Sequence, residues 1–411
     1  MDKYVLILGA GRGQLPLMKI CKKYGYNIVV VSPKGDYPGL DYADKCIYED
    51  IRNKDEILAA IRDINVVAAI TDQLDEGVTT VAYISEKLKI KGITSEIAEK
   101  FQNKYVMRTK ATLAGVAVPK SIIANSIADA IEKVKNMNFP LMIKPVDSSA
   151  SRGIFKVNSC EEIENHFLYS QSFSKNGFVI IEEFIEGKEY VVESYTHDYK
   201  IYNLVVGHRD YFDIPNTFIP SATVFVDSNS AKSHIEKKVL EANNKLIKGF
   251  SLPFGITHGE FLYNEKEDKV YLVEIAARGG GVFISSDLIP LACGVNANEL
   301  LVKDVLNMEF EAPKIRKGSS AYFCYLTPKG IVNRIEGIEE LDCIKGLSKS
   351  FFDNIEIGYE SKTITDKSSR KGPFLVYGKT KEDCYNVIAE VKKKLKITLL
   401  NDSKEISVIW N

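Results

Sequence analysis

The sequence predicts an α/β protein of several domains that opens on a parallel sheet, and three observations carry that expectation. Apolar runs and amphipathic segments alternate over the first hundred residues. The chain is 411 residues long, more than one hydrophobic core sustains, so two to four domains are expected. Charge is balanced, with 54 Lys and Arg against 55 Asp and Glu and a net charge of −1. That balance lacks the electrostatic footprint of a nucleic-acid binder.

Taken in order, residues 4–8 read as a buried strand followed by the tight turn G-A-G-R-G-Q. A helix over 15–24, a strand over 27–32, a helix over 55–62, a strand over 66–71 ending in T-D-Q, and a helix over 77–88 complete a βαβ rhythm. The glycine turn is not a dinucleotide fingerprint. Its third glycine position is Gln14, and the second strand ends V-V-V-S-P-K with no acid to hold a ribose. A structural or substrate-side role is expected instead, for Arg12 and Gln14 together with Asp72 and Gln73.

Residues 97–118 read as a helix ended by Gly115, with Lys104 and Arg108 one turn apart on one face. The stretch F-P-L-M-I-K-P then ends an apolar strand on Lys144, where an ammonium is costly unless an anion pairs with it. The loop 147–153, D-S-S-A-S-R-G, is rich in small residues whose successive N–H groups can fold over phosphates. At 178–193 a strand runs into E-E-F-I, breaks at Gly187 and resumes. Backbone at such a bend can meet an adenine edge, Phe184 and Ile185 can wall it, and Glu189 can reach ribose hydroxyls.

Residues 260–281 carry the densest chemistry. Glu260 and Glu274 lie in apolar segments either side of N-E-K-E-D-K, which has the composition of a hairpin turn. If those segments pair, both acids converge on one hard cation, and Mg²⁺ prefers such oxygen ligands. Arg278 follows, just ahead of Gly279, Gly280 and Gly281, where backbone can approach an anion closely. A charged hairpin with solvated acids would have the same composition. Upstream, residues 207–223 place Arg209 where it could clamp a carboxylate bidentately. His208 and His258 read as structural histidines or as proton-transfer groups.

The seven cysteines are scattered and form no C-x-x-C pair, as expected of reduced thiols in a cytoplasmic protein. No signal peptide and no apolar run of membrane-spanning length is expected, hence no membrane partner.

The ordered set N-K-Y-V-M-R, F-P-L-M-I-K-P, D-S-S-A-S-R-G, E-E-F-I-E-G-K-E, H-G-E-F and V-E-I-A-A-R-G-G-G resembles the ATP-grasp superfamily of ligases over nearly the whole chain. The segments R-I-E-G-I-E-E-L and K-G-P-F-L-V-Y-G-K-T resemble the C-terminal domain of its biotin-carboxylase-like members. The resemblance implies an ATP-grasp fold with a Rossmann-like domain at 1–96, two ATP-grasp subdomains at 97–183 and 184–312, and a small α+β domain at 313–411. It implies ATP, with Mg²⁺ or Mn²⁺, held by Lys104, Lys144, Ser148, Ser149, Ser151, Arg152, Gly153, Glu182, Glu183, Phe184, Ile185 and Glu189. Glu260 and Glu274 would ligate the metal, and Lys144 and Arg278 would be catalytic. Arg209, His258, Gly279 and Gly280 would serve small-molecule carboxylate and amine substrates, and a homodimer is common among such proteins.

One departure matters. The usual E-x-N-x-R is here Glu274-Ile275-Ala276-Ala277-Arg278, without the amide that completes a second metal's shell. The expected reaction is amide formation through an acyl phosphate. A bicarbonate-activating carboxylase and a nucleotide-binding regulator without turnover are the alternatives.

Overall fold

The computed structural model describes residues 2–147, 152–214, 217, 219–281, 283–352, 355–364 and 367–411. Four parallel strands open the chain: β1 (Tyr4–Leu8), β2 (Asn27–Ser32), β3 (Lys45–Tyr48) and β4 (Val66–Ile70), in the order β3-β2-β1-β4. Helices α1 (Leu15–Lys23) and α2 (Lys54–Ala60) lie on the crossovers, and α3 (Asp75–Leu88) follows the last strand. Strand β3 is the element the sequence did not predict. It is a largely exposed edge strand, so burial imposes no apolar pattern on it.

Helices α4 (Ser95–Gln102) and α5 (Lys104–Leu113) replace the single helix expected there. The break falls at Asn103, whose side chain accepts from the N–H groups of Tyr105 and Val106 as the N-cap of α5.

A small antiparallel sheet follows, built from β5 (Ser121–Ala124), β6 (Leu141–Pro145), β7 (Phe155–Val157) and β8 (Val179–Glu183) in the order β5-β8-β6-β7. Helices α6 (Ile127–Val134) and α7 (Cys160–Gln171) cover one face. Ala130, Val134, Ile163 and Phe167 pack there on Leu141, Ile143 and Ile181. The other face carries Met142, Lys144 and Glu182 and is left to the cleft.

The large antiparallel sheet takes β9 (Lys188–His197), β10 (Lys200–Tyr211), β11 (Pro220–Asp227), β12 (Gly255–Asn264), β13 (Lys269–Ala276) and β14 (Ser319–Leu326). The later strands are β15 (Gly330–Glu336), β16 (Leu347–Ser350), β17 (Glu360–Ser361), β18 (Arg370–Gly378), β19 (Lys396–Asn401) and β20 (Lys404–Ser407). The large sheet runs β13-β12-β9-β10-β11-β14-β18-β16, and β17-β15-β19-β20 form a separate small sheet. Helix α8 (His234–Phe250) buries Val239, Leu246 and Phe250 on one face of the large sheet, against Val192, Val206 and Phe261. The opposite face shares a core with the opening domain, joining Leu17 and Met18 of α1 to Val191, Phe225 and Ile289. That shared core lays the β4–α3 turn against the end of β13. Among the described residues, no helix is long and apolar enough to cross a membrane.

Candidate active site

The predicted hairpin forms. Strands β12 and β13 pair antiparallel with Glu260 directly opposite Glu274, and a bulge follows, with Phe261 paired to Leu272. Strand periodicity then aligns one face of the sheet. Glu260 and His258 on β12 lie beside Glu189 and Glu193 on β9 and Arg209 on β10.

These side chains form a continuous, largely buried chain of charges. Arg209 donates to Glu189 and, at 2.8 Å, to Glu260, while Tyr211 also donates to Glu189. His258 stands between Glu260, 3.1 Å from Nε2, and Glu193 at Nδ1. Burial alone would raise the Glu260 carboxyl, but Arg209 and His258 hold it well below the usual carboxylate range. Glu189 moves the other way, because burial outweighs the pull of Arg209 and neighbouring Glu260 adds to it. Burial would strip the proton from His258, yet Glu193 and then Glu260 raise its pKa to about 9. The Nε of Arg209 is buried without a hydrogen-bond partner among the described residues. Sequence reasoning expected Arg209 to clamp a substrate carboxylate; it clamps two carboxylates of the protein itself.

The small sheet supplies the second wall. Met142 is in register with Glu182 on one side and Lys156 on the other, so the three share the cleft face with Lys144. Lys144 Nζ lies 2.6 Å from Glu182 Oε2, and Arg108 Nε lies 2.6 Å from Glu182 Oε1. The anion that Lys144 needed is thus Glu182, which is fully buried. Burial opposes ionisation of Glu182, but Arg108 and Lys144 bring its pKa down to about 2. The carboxylate of Glu182, expected near adenine, is therefore already engaged. Lys104 opens α5, donates its N–H to the Val146 carbonyl at 3.1 Å, and brings Nζ to 3.9 Å from Glu274. Lys156 Nζ sits 4.0 Å over the ring of half-buried Phe184. The N–H groups of Glu183 and Phe184 donate to Lys120 and Pro140 carbonyls, 2.9 and 3.1 Å away. Ile185 follows, also half-buried.

The third wall comes from the β4–α3 turn. Arg278 grips Asp75 bidentately, Nε to Oδ1 and Nη2 to Oδ2 both at 2.8 Å, and donates Nη1 to the Gly279 carbonyl at 3.1 Å. Asp72 is fully buried and accepts from Gly279 N at 2.7 Å, Ser285 Oγ at 2.6 Å and Asn298 Nδ2 at 2.7 Å. Gln73, held at a φ of +57°, donates to Ser285 Oγ at 3.0 Å. Gln14 donates to the Asp72 carbonyl at 2.6 Å and accepts from Gly11 N, so its side chain fills the mouth of the glycine turn. The Gly280 N–H goes to Glu193 at 3.2 Å. The anions that the glycine run approaches are thus Asp72 and Glu193. A Cβ on Gly280 would sit 2.6 Å from Glu193 Oε1 and 2.7 Å from His258 Nδ1, which is why no side chain fits.

The structure brings Lys104, Lys144, Glu182, Glu189, Arg209, His258, Glu260, Glu274, Arg278, Gly279 and Gly280 to one cleft. Arg152, in the loop after β6, reaches Glu76 of α3 at 3.3 Å, and Gly153 adopts a φ of +68°. Ser148, Ser149 and Ser151 lie outside the described residues. His208 is turned away, bonded to Tyr385 at 2.7 Å. Sequence reasoning missed Glu193, which the alternation Glu189, Val191, Glu193 would have found, and Met142, two residues before Lys144. It also missed Asp75, for which an acid in a helix's first turn is no distinctive signal.

Residues 137–287 match the ATP-grasp domain family. With the fold just described, this places an ATP-grasp domain within the chain. It is 23% identical over 310 residues to the C-terminal section of the carbamoyl phosphate synthase large chain of Methanopyrus kandleri, covering 71% of this chain and 57% of that one. It is 28% identical over 160 residues to a D-alanine--D-alanine ligase of Francisella philomiragia, covering 38% of this chain and 51% of that one. The chain thus spans about half the length of these curated relatives. Among solved structures, the L-amino acid ligase of Bacillus licheniformis superposes with a TM-score of 0.81 at 18% identity, covering 98% of this chain and 99% of that one.

Proposed function

We propose that the chain is an ATP-dependent carboxylate–amine ligase that forms an amide through an acyl phosphate and releases ADP and phosphate. The observation that carries this reading is the convergence of Glu260 and Glu274, paired across one hairpin, with Lys104, Lys144 and Arg278 on a single cleft. The likeness to ligases of amino acids supports it.

The donor set suits Mg²⁺, or Mn²⁺ in its place. Two carboxylates stand side by side, matching an ion that takes one or two protein carboxylates and fills its shell with phosphate oxygens and water. Ala276 offers no further donor, so one firmly held ion is the better fit. When bound, Mg-ATP supplies the γ-phosphoryl and the neutralising charge. Lys104 and Lys144 bind phosphate oxygens as point charges, and the Phe184 ring and Met142 side chain pack against the base. Arg278 holds the substrate carboxylate beside the γ-phosphoryl. A carboxylate oxygen bonds to phosphorus as the bond to the β-phosphate oxygen breaks and ADP leaves. The amine nitrogen then bonds to the acyl carbon, the carbon–oxygen bond to phosphate breaks, and the amine gives up a proton. Positioning and charge neutralisation dominate such transfers, and no protein nucleophile is required.

Phosphorus NMR of the protein with Mg-ATP and pooled amino acids, with bicarbonate, and with neither tests the reading. ADP and phosphate released only with amino acids support it. Release only with bicarbonate makes the protein a carboxylase, and AMP with pyrophosphate removes the acyl-phosphate mechanism.

A further inference from the structure

The guanidinium of Arg278 has five N–H groups, and its partners among the described residues account for three. Nε and one N–H of Nη2 go to Asp75, and one N–H of Nη1 goes to the Gly279 carbonyl. One N–H on each terminal nitrogen remains beyond these bonds, the arrangement that meets a planar carboxylate or a phosphoryl group in bidentate fashion. Which edge of Arg278 is presented is therefore decided by Asp75. That residue is contributed by the opening domain, at the first position of α3, not by the bend after β13 that holds Arg278.

The surrounding turn is built for this placement. Asp72 anchors Gly279 N and Ser285, Gln73 anchors Ser285 from a left-handed conformation, and Asp75 then meets the neighbouring Arg278. Residues 72, 73 and 75 thus grip residues 278, 279 and 285 one after another. An ordinary buried ion pair between domains would need only one such contact.

We infer that Asp75 is a positioning residue for phosphoryl transfer, aiming Arg278 at the reacting carboxylate and γ-phosphoryl across the domain boundary. The inference rests on the ligase reading above. Its test compares wild type, Asp75→Asn and Asp75→Ala in the full chain. Turnover, ATP binding and Tm are measured, together with the ¹⁵N NMR signal of the Arg278 Nε–H in the protein without nucleotide, assigned with Arg278→Lys. In Asp75→Ala, kcat should fall about 100-fold while the KM for ATP stays within about twofold. Asp75→Asn, which keeps the shape and one acceptor, should recover part of that loss. The Nε–H signal should be slowly exchanging in wild type and fast in Asp75→Ala.

A structural role alone would lower Tm and ATP affinity together and leave the kcat of the folded fraction intact, and that result overturns the inference. So does wild-type turnover by Asp75→Ala. If wild type turns over none of the substrates offered, the ligase reading fails on its own. An Nε–H signal unchanged in Asp75→Ala then still overturns the Asp75–Arg278 coupling, and its loss upholds it.

Discussion

Arg108 and Glu182 form a buried ion pair, Nε to Oε1 at 2.6 Å, that bolts helix α5 to strand β8. The same guanidinium donates Nη2 to the carbonyl of Val273 at 2.8 Å, at the bulge of the β12–β13 hairpin. One side chain thus sets the distance between the small sheet and the two acids of the large one. Arg108→Met should destabilise the chain by about 3–5 kcal/mol, because it leaves Glu182 with Lys144 alone and an open acceptor at the bulge. Urea denaturation measures this, and a loss under about 1 kcal/mol would show that the pair is dispensable.

The same acid predicts a pH dependence. Glu182 falls from an ordinary 4.5 to about 2, so the folded state binds its proton less tightly than the unfolded state does. Its contribution is complete above the unfolded pKa and is lost as pH falls from about 4.5 toward about 2. The shift is worth roughly 3 kcal/mol. Glu182→Gln should flatten the stability profile in that window. An unchanged acid limb in the variant would assign it to other carboxylates.

Glu274→Ala removes one of two facing carboxylates and the partner of Lys104. Turnover should be lost, and the Mn²⁺ concentration for half-saturation, read by electron paramagnetic resonance with a non-hydrolysable nucleotide, should rise at least about 10-fold. Wild-type turnover by this variant would remove the metal assignment.

Gly280→Ala drives a methyl group into the Glu193–His258 pair. The expected cost is about 1–3 kcal/mol of stability, with lower activity as the pair is pushed apart. A Tm equal to wild type would mean that the loop moves aside freely.

Local pattern carried much of this. The run N-E-K-E-D-K between two apolar segments announced the hairpin, and strand pairing made Glu260 and Glu274 neighbours. The βαβ alternation foretold the opening sheet, save for exposed β3. Asn103 could have been read as a cap, since an amide side chain ahead of K-Y-V-M competes for backbone N–H groups. What stayed hidden was partner choice between distant segments. Lys144 and Arg209 were recognisable as cations needing anions, but nothing local says that Glu182 or Glu189 will answer. Asp75 belongs to a helix start more than two hundred residues before Arg278, and only the shared core under the opening domain brings them together.

The cations around the cleft are stored as pairs: Lys144 with Glu182, Arg209 with Glu189 and Glu260, Arg278 with Asp75, Arg152 with Glu76. A tetraanion arriving with its divalent ion therefore does not meet bare positive charge; it swaps places with carboxylates already seated. Recognition becomes an exchange of counterions within a nearly neutral shell. Its dependence on ionic strength should be shallow, and the energy of the event should reside in which carboxylate lets go.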